Sequence, residues 1–389
     1  MINLKFQIKT TIYYSPNSVQ KITPIVKELG GNNVFVLIEK FLVKNQRIGA
    51  LINDLKAGGL KVFVYDQMLG EPTSEQIEAA VTTFKSGCYD LIIAIGGGSR
   101  IDSAKAVAFL ATNPGQLTDY EGLNRVKNPK APLIAVNTTA GTGSDVSAGT
   151  VITDSATHRK IIIVSPFLFP EAAIGDPYLT VSLPKKMTAF TGIDALTHAI
   201  EGFVCQKAQP VTDSMACQAI ETIGKSLGKC FDNPEDLDAR MKMLLGQLLA
   251  GMVISHTSTG LVHAMARPFG VYFNQPHGLC NALFLPYATK LSVKGNEPKY
   301  RQVISLLGGA MKGDSAEQAS RLLKEFCDQL EIPSIEELGI NYQQYLGKAE
   351  QMAEDAILSG SVANNPTQPS KEEIVKIYEM AYKRDLKGL

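Results

Sequence analysis

Four side chains of metal-binding types lie close together in the second half of the chain. Asp194 and His198 occur in "GIDALTHAIEGF", and His263 and His277 occur in "GLVHAMARPFGVYFNQPHG". Asp194 and His198 are four residues apart with no Gly or Pro between them, so on a helix they would share one face. His277 stands between a proline and a glycine, which indicates a loop or the start of a helix. Together, the four predict a site for one divalent metal ion.

The types of these four side chains restrict the metal. One carboxylate and three neutral imidazoles suit Fe²⁺, Zn²⁺, Co²⁺ or Ni²⁺ better than Mg²⁺ or Ca²⁺, which prefer oxygen ligands. An ion with an open coordination position would polarise a carbonyl or alkoxide oxygen. The alternative is that these are separate buried or capping histidines. The remaining histidines, His158 and His256, have no partner at ligand spacing and are predicted to be structural or solvated.

A glycine-rich turn follows an apolar segment in the first half of the chain. Gly96, Gly97, Gly98 and Ser99 come directly after "DLIIAI", and a helix-like segment follows them. Glycines allow close approach of a ligand, and a helix start offers free N–H groups, so this turn is a candidate pyrophosphate site. A tight strand-to-helix turn without a ligand is the alternative. A second Gly/Thr-rich stretch, "NTTAGTGSD" at 137–145, would contribute hydroxyls and amides to the same phosphates.

One acidic residue bears on the choice of cofactor. Glu39 ends the apolar run "NVFVLI". An acid at the end of this strand would accept both ribose hydroxyls and repel a 2′-phosphate, which favours NAD(H) over NADP(H). The alternative is a solvated strand end.

The pattern of apolar residues changes near residue 183. Before it, short β-branched runs near 33–38, 60–65, 90–98 and 132–139 alternate with amphipathic segments, which predicts a doubly wound, mostly parallel sheet in an α/β domain. After it, long helix-like segments predict an all-helical domain, ending in a helix capped by Ser370 with Glu373 three residues later. The predicted domains are 1–183 and 184–389. The first ten residues alternate like a strand.

Composition excludes several classes of protein. The 389 residues contain 38 basic and 38 acidic side chains, so there is no excess charge to bind nucleic acid or an anionic membrane. No signal peptide pattern and no apolar run of the roughly 18 to 20 residues of a membrane span is present. Six scattered cysteines without a C-x-x-C pair fit reduced thiols, and the expected location is the cytoplasm.

These motifs resemble the iron-dependent (group III) alcohol dehydrogenases. The resemblance covers nearly the whole chain, and its most specific motifs are "GGGSRIDSAK", "TTAGTGSDVS", "GIDALTHAIEGF" and "HAMARPFGVYFNQPHGLCNALFLP". It implies Asp194, His198, His263 and His277 as ligands of Fe²⁺ or, in some members, Zn²⁺. It implies a homodimer or larger homo-oligomer, and it implies an NAD(H) site whose residues would be Glu39, Gly97, Gly98, Ser99, Asp102, Thr138, Thr139, Thr142, Val151 and Lys160.

The implied reaction is hydride transfer between nicotinamide and a small alcohol or aldehyde whose oxygen is polarised by the metal. The family often has a histidine four residues after the third ligand, and this chain has Arg267. An arginine is a poor proton relay but binds planar or tetrahedral anions well. We therefore expect a short substrate with a sulfonate, carboxylate or phosphonate, such as sulfoacetaldehyde. The alternative is a plain short alcohol, with Arg267 paired to a local acid or to a cofactor phosphate.

Two further classes compete with this interpretation. A lyase of the dehydroquinate synthase type would use the same cofactor loop without net change in NADH, and a nucleotide sensor would bind without catalysis.

A second departure from the family pattern is Arg100, which stands in the glycine loop where Pro is common and would add positive charge near the pyrophosphate.

Overall fold

A computed structural model describes residues 5–157, 159–309 and 315–387. Its internal contacts divide it into two compact units. One unit is Gln7–Ser182, and the other begins at Leu183 and includes Phe6 from the start of the chain.

A parallel six-stranded sheet forms the centre of the first unit, with strand order β1-β9-β6-β4-β2-β3. All of its pairings are parallel, and β4 and β2 lie in its interior. The strands of this sheet are β1 (Thr11–Tyr14), β2 (Asn33–Ile38), β3 (Lys61–Tyr65), β4 (Leu91–Gly96), β6 (Leu133–Asn137) and β9 (Ala172–Gly175). The four strands predicted from the apolar runs are therefore present, and the predicted α/β class is confirmed.

Successive side chains of a strand point to opposite faces of the sheet and pack into two separate hydrophobic cores, one on each face. Val34 and Val36 of β2 belong to one core, whereas Phe35 and Leu37 belong to the other. Such double burial explains why these strands read as continuous apolar runs. Four helices contribute apolar residues to the two cores: α1 (Ile22–Glu28) and α2 (Gln46–Ala57) to the first, and α3 (Ser74–Ser86) and α4 (Gly98–Thr112) to the second.

Two features of the first unit were not predicted. A second, three-stranded sheet has the order β5-β8-β7 and includes an antiparallel pair; its strands are β5 (Gly122–Leu123), β7 (Gly149–Thr153) and β8 (Lys160–Val164). The strand expected in the first ten residues is wrong for residues 5–10, which are irregular, because their alternating side chains do not meet a partner strand. The prediction for His158 lies outside the described residues.

The described residues of the second unit form helices joined by loops and no strand, as the change in the apolar pattern near residue 183 predicted. Helix α5 packs against α6, α7 and α9, and α9 also packs against α8 and α11. None of the described helices has the length and apolarity needed to cross a membrane. The helices are α5 (Lys185–Val204), α6 (Pro210–Asp232), α7 (Leu237–Thr257), α8 (Leu261–Phe273), α9 (His277–Ser292), α10 (Glu297–Leu306), α11 (Ser315–Gln329), α12 (Tyr342–Leu358) and α13 (Lys371–Lys383).

A buried lysine fixes the segment between the two sheets of the first unit. Lys105 of α4 is fully buried, and its Nζ donates hydrogen bonds to Ser147 O (2.9 Å), Ser147 Oγ (3.0 Å) and Gly149 O (2.7 Å). Burial lowers the pKa of Lys105 to about 8, although Asp102 and Asp145 oppose the shift. The native state therefore retains a charged ammonium that is bonded mainly to neutral oxygens.

This pKa predicts a pH dependence of stability. Between about pH 8 and 10.5 the folded protein has lost the Lys105 proton while the unfolded chain retains it, so unfolding takes up a proton and becomes harder as pH rises. We expect the free energy of unfolding of wild type to rise relative to that of Lys105→Met across this range. Denaturant titrations at several pH values measure it. The exposed Lys61→Met variant is the control, and a parallel pH course for wild type and Lys105→Met would contradict the assignment.

Candidate functional site

Three helices of the second unit carry the four predicted ligands. Asp194 and His198 lie one turn apart on α5, within a run that is almost entirely buried. His263 lies in the first turn of α8, which begins after Gly260, and His277 is the first residue of α9. The i,i+4 spacing on α5 and the two helix starts therefore direct all four side chains to one place.

The ligand atoms converge around one carboxylate oxygen. Asp194 Oδ1 lies 3.5 Å from His263 Nε2, 3.7 Å from His277 Nε2 and 3.9 Å from His198 Nδ1. Three of the residues, Asp194, His263 and His277, have ligand atoms within 4.8 Å of one another. The His198 ring stacks on that of His263 with 4.4 Å between centroids. His198 thus lies beside the cluster, and its Nδ1 is too far from Asp194 Oδ1 for a hydrogen bond.

Charge and burial favour a cation at this place. Burial opposes ionisation of Asp194, but His198, the hydrogen bond with His263 and the charge of His277 outweigh it and hold the pKa of the carboxyl well below its usual range. Burial lowers the pKa of His198 to about 4 despite the opposing charge of Asp194. Asp194 is therefore ionised and His198 neutral at neutral pH, as metal ligation requires, whereas the charges of Glu201 and Asp194 outweigh burial and raise the pKa of His263, whose Nε2 proton a bound metal ion would have to displace.

A second carboxylate, which the sequence analysis missed, holds the His263 ring. Glu201 is buried on α5, and its Oε2 lies 2.6 Å from His263 Nδ1. The same carboxylate accepts from the backbone N–H groups of Gly260 (2.9 Å) and Val262 (2.7 Å), and so caps the start of α8. Because Nδ1 donates to Glu201, the Nε2 lone pair of His263 is directed at the cluster. The available signal was the i+3 spacing from His198 on one helix face.

Asn281, one turn after His277 on α9, was also missed. Its Nδ2 donates to Asp194 Oδ1 (2.7 Å) and lies 3.1 Å from His263 Nε2 and 3.3 Å from His277 Nε2. The amide NH2 has two hydrogens, and because one is donated to Asp194, the other reaches one of these two imidazole nitrogens, which then acts as the acceptor. The Oδ1 atom of Asn281 is buried without a hydrogen-bond partner among the described residues.

These observations test whether the residues fit a divalent metal ion. Acceptor atoms from a carboxylate and two imidazoles meet in a buried cluster, and the Nδ1 atom of the third imidazole, on His198, is buried without a hydrogen-bond partner among the described residues. A set of nitrogen and oxygen donors of this kind suits iron or zinc. The residues therefore fit the ion that the sequence predicted.

Arg267 lies one turn after His263 on α8 and is half-buried. Its two terminal nitrogens donate to Ser361 Oγ (3.0 Å) and Thr259 Oγ1 (3.1 Å), which are neutral hydroxyls 2.8 Å apart. Burial lowers the pKa of the guanidinium, and the charge of Glu201 opposes this shift. Within the described residues Arg267 forms no ion pair with a carboxylate. No contact therefore supports the alternative that Arg267 pairs with a local acid.

The two glycine-rich stretches of the first unit lie against each other. β4 ends at Gly96, Gly97 caps α4, and the backbone N–H of Thr138 donates to Gly96 O (3.1 Å). A Cβ atom on Gly97 would lie 3.1 Å from the side chain of Thr139, and one on Gly98 would overlap the Thr142 side chain. Only glycine permits this packing, so the start of α4 and the threonine hydroxyls lie together.

The other residues predicted for the cofactor contact neighbouring segments of the first unit. Glu39 directly follows β2, and its Oε1 lies 3.5 Å from Gly97 N. Asp102 accepts from Ser144 Oγ and from the backbone N–H of Val151 (2.9 Å), so both oxygens of Asp102 hold neighbouring segments in place. Lys160, at the start of the central strand β8 of the small sheet, donates to Glu71 (2.7 Å) and Thr153 (2.8 Å). Ser99 follows in the first turn of α4.

A glycine-rich turn at the end of a parallel strand, together with a histidine–aspartate cluster, is typical of a metal-dependent dehydrogenase. The family model described as "Iron-containing alcohol dehydrogenase" matches residues 9–177, and the one described as "Fe-containing alcohol dehydrogenase family, C-terminal" matches residues 188–382. The chain belongs to the iron-containing alcohol dehydrogenase family, and it is an oxidoreductase that acts on small alcohols or aldehydes.

Three similar proteins illustrate the range of substrates among its relatives. The 1,3-propanediol dehydrogenase of Klebsiella pneumoniae is 33% identical over 377 residues, which cover 95% of this chain and 96% of that protein. The lactaldehyde reductase of Escherichia coli strain K12 is 32% identical over 382 residues, covering 96% and 98%. The crystal structure of sulfoacetaldehyde reductase from Bifidobacterium kashiwanohense, in complex with NAD⁺, has a TM-score of 0.88 and 25% identity and covers 99% of this chain and 100% of that one.

Replacement of His263 tests the metal cluster. His263→Ala removes a buried nitrogen that lies 3.5 Å from Asp194 Oδ1, so we expect metal content and activity to be lost together. Metal analysis after anaerobic reconstitution with Fe²⁺ measures the first and NADH oxidation the second. His256→Ala serves as control, because His256 stacks on Phe6 away from the cluster. Full metal occupancy in His263→Ala would contradict the assignment.

Replacement of Glu201 tests its positioning role separately. Glu201→Gln preserves the shape but removes the charge that accepts from His263 Nδ1, so we expect metal affinity to fall by roughly 10- to 100-fold. Competition against a chelator of known affinity measures this change without reference to turnover. Thermal melting of the metal-free variant separates a ligand effect from loss of the α8 cap. An unchanged affinity would show that the ring of His263 is held by packing alone.

Proposed function

We propose that this protein is a metal-dependent, NAD(H)-linked alcohol dehydrogenase or aldehyde reductase whose short-chain substrate carries an anionic tail, sulfoacetaldehyde being one example. Residues 1–183 act as the NAD(H)-binding domain and residues 184–389 as the metal-binding catalytic domain. The contacts of Arg267 are the observation that supports the anionic tail. Family membership and the NAD⁺ complex of a similar sulfoacetaldehyde reductase support the class of reaction.

In this proposal, Asp194, His198, His263 and His277 hold one Fe²⁺ ion, with Zn²⁺ as a possible substitute. The ion supplies Lewis-acid polarisation of the substrate oxygen. Glu201 keeps the His263 ring in the tautomer that offers Nε2 to the ion, and the low pKa of His198 keeps its imidazole neutral. None of these side chains acts as a nucleophile.

The NAD(H) site is proposed on the glycine and threonine loops of the first unit. The start of α4 at Gly98 and the hydroxyls of Thr138, Thr139 and Thr142 would bind the pyrophosphate, because free N–H groups and hydroxyls are suitable donors. Glu39 would accept the hydroxyls of the adenosine ribose. Asp102 and Val151 act by holding β7 against α4, and Lys160 by its contacts with Glu71 and Thr153 at the start of β8.

Arg267 is the proposed anion-binding residue. Its two hydroxyl partners fix the guanidinium without neutralising its charge, since Ser361 and Thr259 are uncharged. A half-buried guanidinium without a carboxylate partner favours binding of an anion at its remaining N–H groups. Arg267 follows His263 by one turn on the same helix face, which supports a position near the proposed substrate oxygen site. The proposed tail is a sulfonate or carboxylate on a short-chain aldehyde or alcohol.

The second candidate function is a generalist short-chain alcohol or diol dehydrogenase. It is favoured by the names of the similar proteins, which include 1,3-propanediol dehydrogenase and lactaldehyde reductase. In that case Arg267 is structural and holds Thr259 to the segment at Ser361.

We further propose a cytoplasmic location, which agrees with six free cysteines in the described residues, and a homodimer or larger homo-oligomer.

Matched aldehydes discriminate between the two functions. We expect NADH oxidation by Fe²⁺-loaded wild type to favour sulfoacetaldehyde and succinate semialdehyde over acetaldehyde and propionaldehyde. Arg267→Ala should lose this preference mainly through KM for the anionic aldehydes, because the lost contact is to the tail and not to the reacting carbon. Arg267→His, which restores the histidine common in the family, should favour neutral aldehydes.

The controls separate this result from general damage. Arg301→Ala removes an exposed arginine of α10 in the same unit and should leave the ratio of anionic to neutral rates unchanged. Removal of the metal with a chelator should abolish turnover of every aldehyde. Equal rates on neutral and anionic aldehydes in wild type would support the generalist dehydrogenase and reject the anion-binding role.

A further inference from the structure

A cavity of about 650 Å³ lies in the first unit at the carboxyl ends of β2, β3 and β4. The glycine loop contributes Ser99 and Arg100 to its lining, and the segment after β2 contributes Glu39, Lys40 and Lys44. Ligands of parallel sheets bind at such edges. The charged lining residues are one acid and three bases, so the cavity is positive by two charges even though it contains the acid expected to reject a phosphate.

Arg100 is the unusual member of this lining. Its side chain is only 3% exposed, and its Nε lies 3.9 Å from Glu39 Oε1. One amino group donates to the carbonyl of Gly70, whereas Nε and Nη1 are buried without a hydrogen-bond partner among the described residues. A buried guanidinium with unsatisfied N–H groups is costly, and an anion bound in the adjacent cavity would stabilise its charge.

The two charges act on a nucleotide in opposite directions. An acid at the end of this strand accepts ribose hydroxyls and repels a 2′-phosphate. The Arg100 charge lies beside that acid and is shielded from solvent, so salt screens their interaction only weakly. The positive charge therefore cancels much of the repulsion that Glu39 alone would exert. Lys40 and Lys44 add attraction at the exposed side of the same cavity.

We propose that Arg100 is a specificity-determining residue that opens this cavity to nucleotides carrying a 2′-phosphate, so that the protein binds NADP(H) as well as NAD(H). The inference rests on the proposed function only in taking the cavity as the adenosine end of the dinucleotide site. The apolar side chains of Phe41 and Leu69, each 63% exposed, line the same cavity and offer contact surface for an adenine ring. Glu39 retains the ribose hydroxyls of NAD(H), and Arg100 with the lysines accepts the additional phosphate of NADP(H).

Binding of two nucleotide fragments tests this inference without metal or hydride transfer. Calorimetric titration compares ADP-ribose with 2′-phospho-ADP-ribose on wild type, Arg100→Met and Arg100→Lys. In wild type we expect the two dissociation constants to lie within about tenfold of each other. Arg100→Met should weaken the phosphorylated fragment by roughly tenfold or more relative to ADP-ribose, as expected for loss of one nearby charge. Arg100→Lys keeps the charge and should retain most of the binding.

Matched variants control for the charge and for the fold. Lys61→Met removes an exposed positive charge at the opposite end of β3 and should leave the ratio of dissociation constants unchanged. Glu39→Gln should improve binding of the phosphorylated fragment and weaken ADP-ribose. Circular dichroism and thermal melting establish that each variant is folded. If Arg100→Met does not fold, the comparison of Arg100→Lys with Glu39→Gln still carries the test.

Each outcome has a defined consequence. Wild-type binding of ADP-ribose with rejection of the phosphorylated fragment by about a hundredfold or more would overturn the inference and leave the NAD(H) assignment intact. An equal ratio in wild type and Arg100→Met would likewise overturn the role of Arg100. Absence of binding by either fragment to folded wild type would overturn the inference together with the proposed cofactor site. Raised salt should weaken the phosphorylated fragment more than ADP-ribose if the charges act as inferred.

Discussion

The hydrogen bond between Glu201 and His263 links the fold of the helical unit to its chemistry. The carboxylate caps the start of α8 through Gly260 and Val262 and, with the same atoms, holds the Nδ1 proton of His263. Because Glu201 lies on the helix that also carries Asp194, the relative position of α5 and α8 determines where the His263 Nε2 atom lies. Local helix capping and metal-ligand geometry therefore depend on one buried charge, which is why its replacement should affect both.

Much of the candidate site was predictable from spacing, because metal ligands must be of few types and must share a helix face. That rule finds Asp194 and His198 within α5, and the helix starts find His263 and His277. It does not find Asn281, because a neutral amide carries no signal of ligation and its role depends on contacts between α5, α8 and α9. Residues that orient ligands are defined by tertiary contacts, which the sequence does not show. The metal ligands themselves can be recognised in the sequence by their side-chain types and spacing.

The main elements of the fold were likewise predictable from the sequence. Strands buried on both faces read as continuous apolar runs, so β2, β4 and β6 were found, whereas the edge strand β3, with Lys61 and Phe63 exposed, was found from its β-branched and aromatic residues. The capping box at Ser370 and Glu373 located the last helix. The small sheet was not found, since β5 has two residues and the alternation in β7 and β8 is short. The irregular segment at residues 5–10 shows the converse error: alternation indicates a strand only where a partner strand exists to accept its backbone hydrogen bonds.

Two arginines distinguish this chain from the pattern it resembles, and the same physical argument applies to both. Arg100 and Arg267 are shielded from solvent, and neither guanidinium donates a hydrogen bond to a carboxylate within the described residues. Desolvation of a guanidinium costs free energy, which the ion pair of Arg100 with Glu39 at 3.9 Å offsets only in part and which an apolar or shorter side chain would avoid. Each guanidinium is instead fixed by neutral oxygens, so its charge remains available to an anion. For Arg267 that anion is the tail of a substrate, and for Arg100 it is the 2′-phosphate of a nucleotide; fragment binding and aldehyde selectivity report on the two independently because each involves a different unit of the chain.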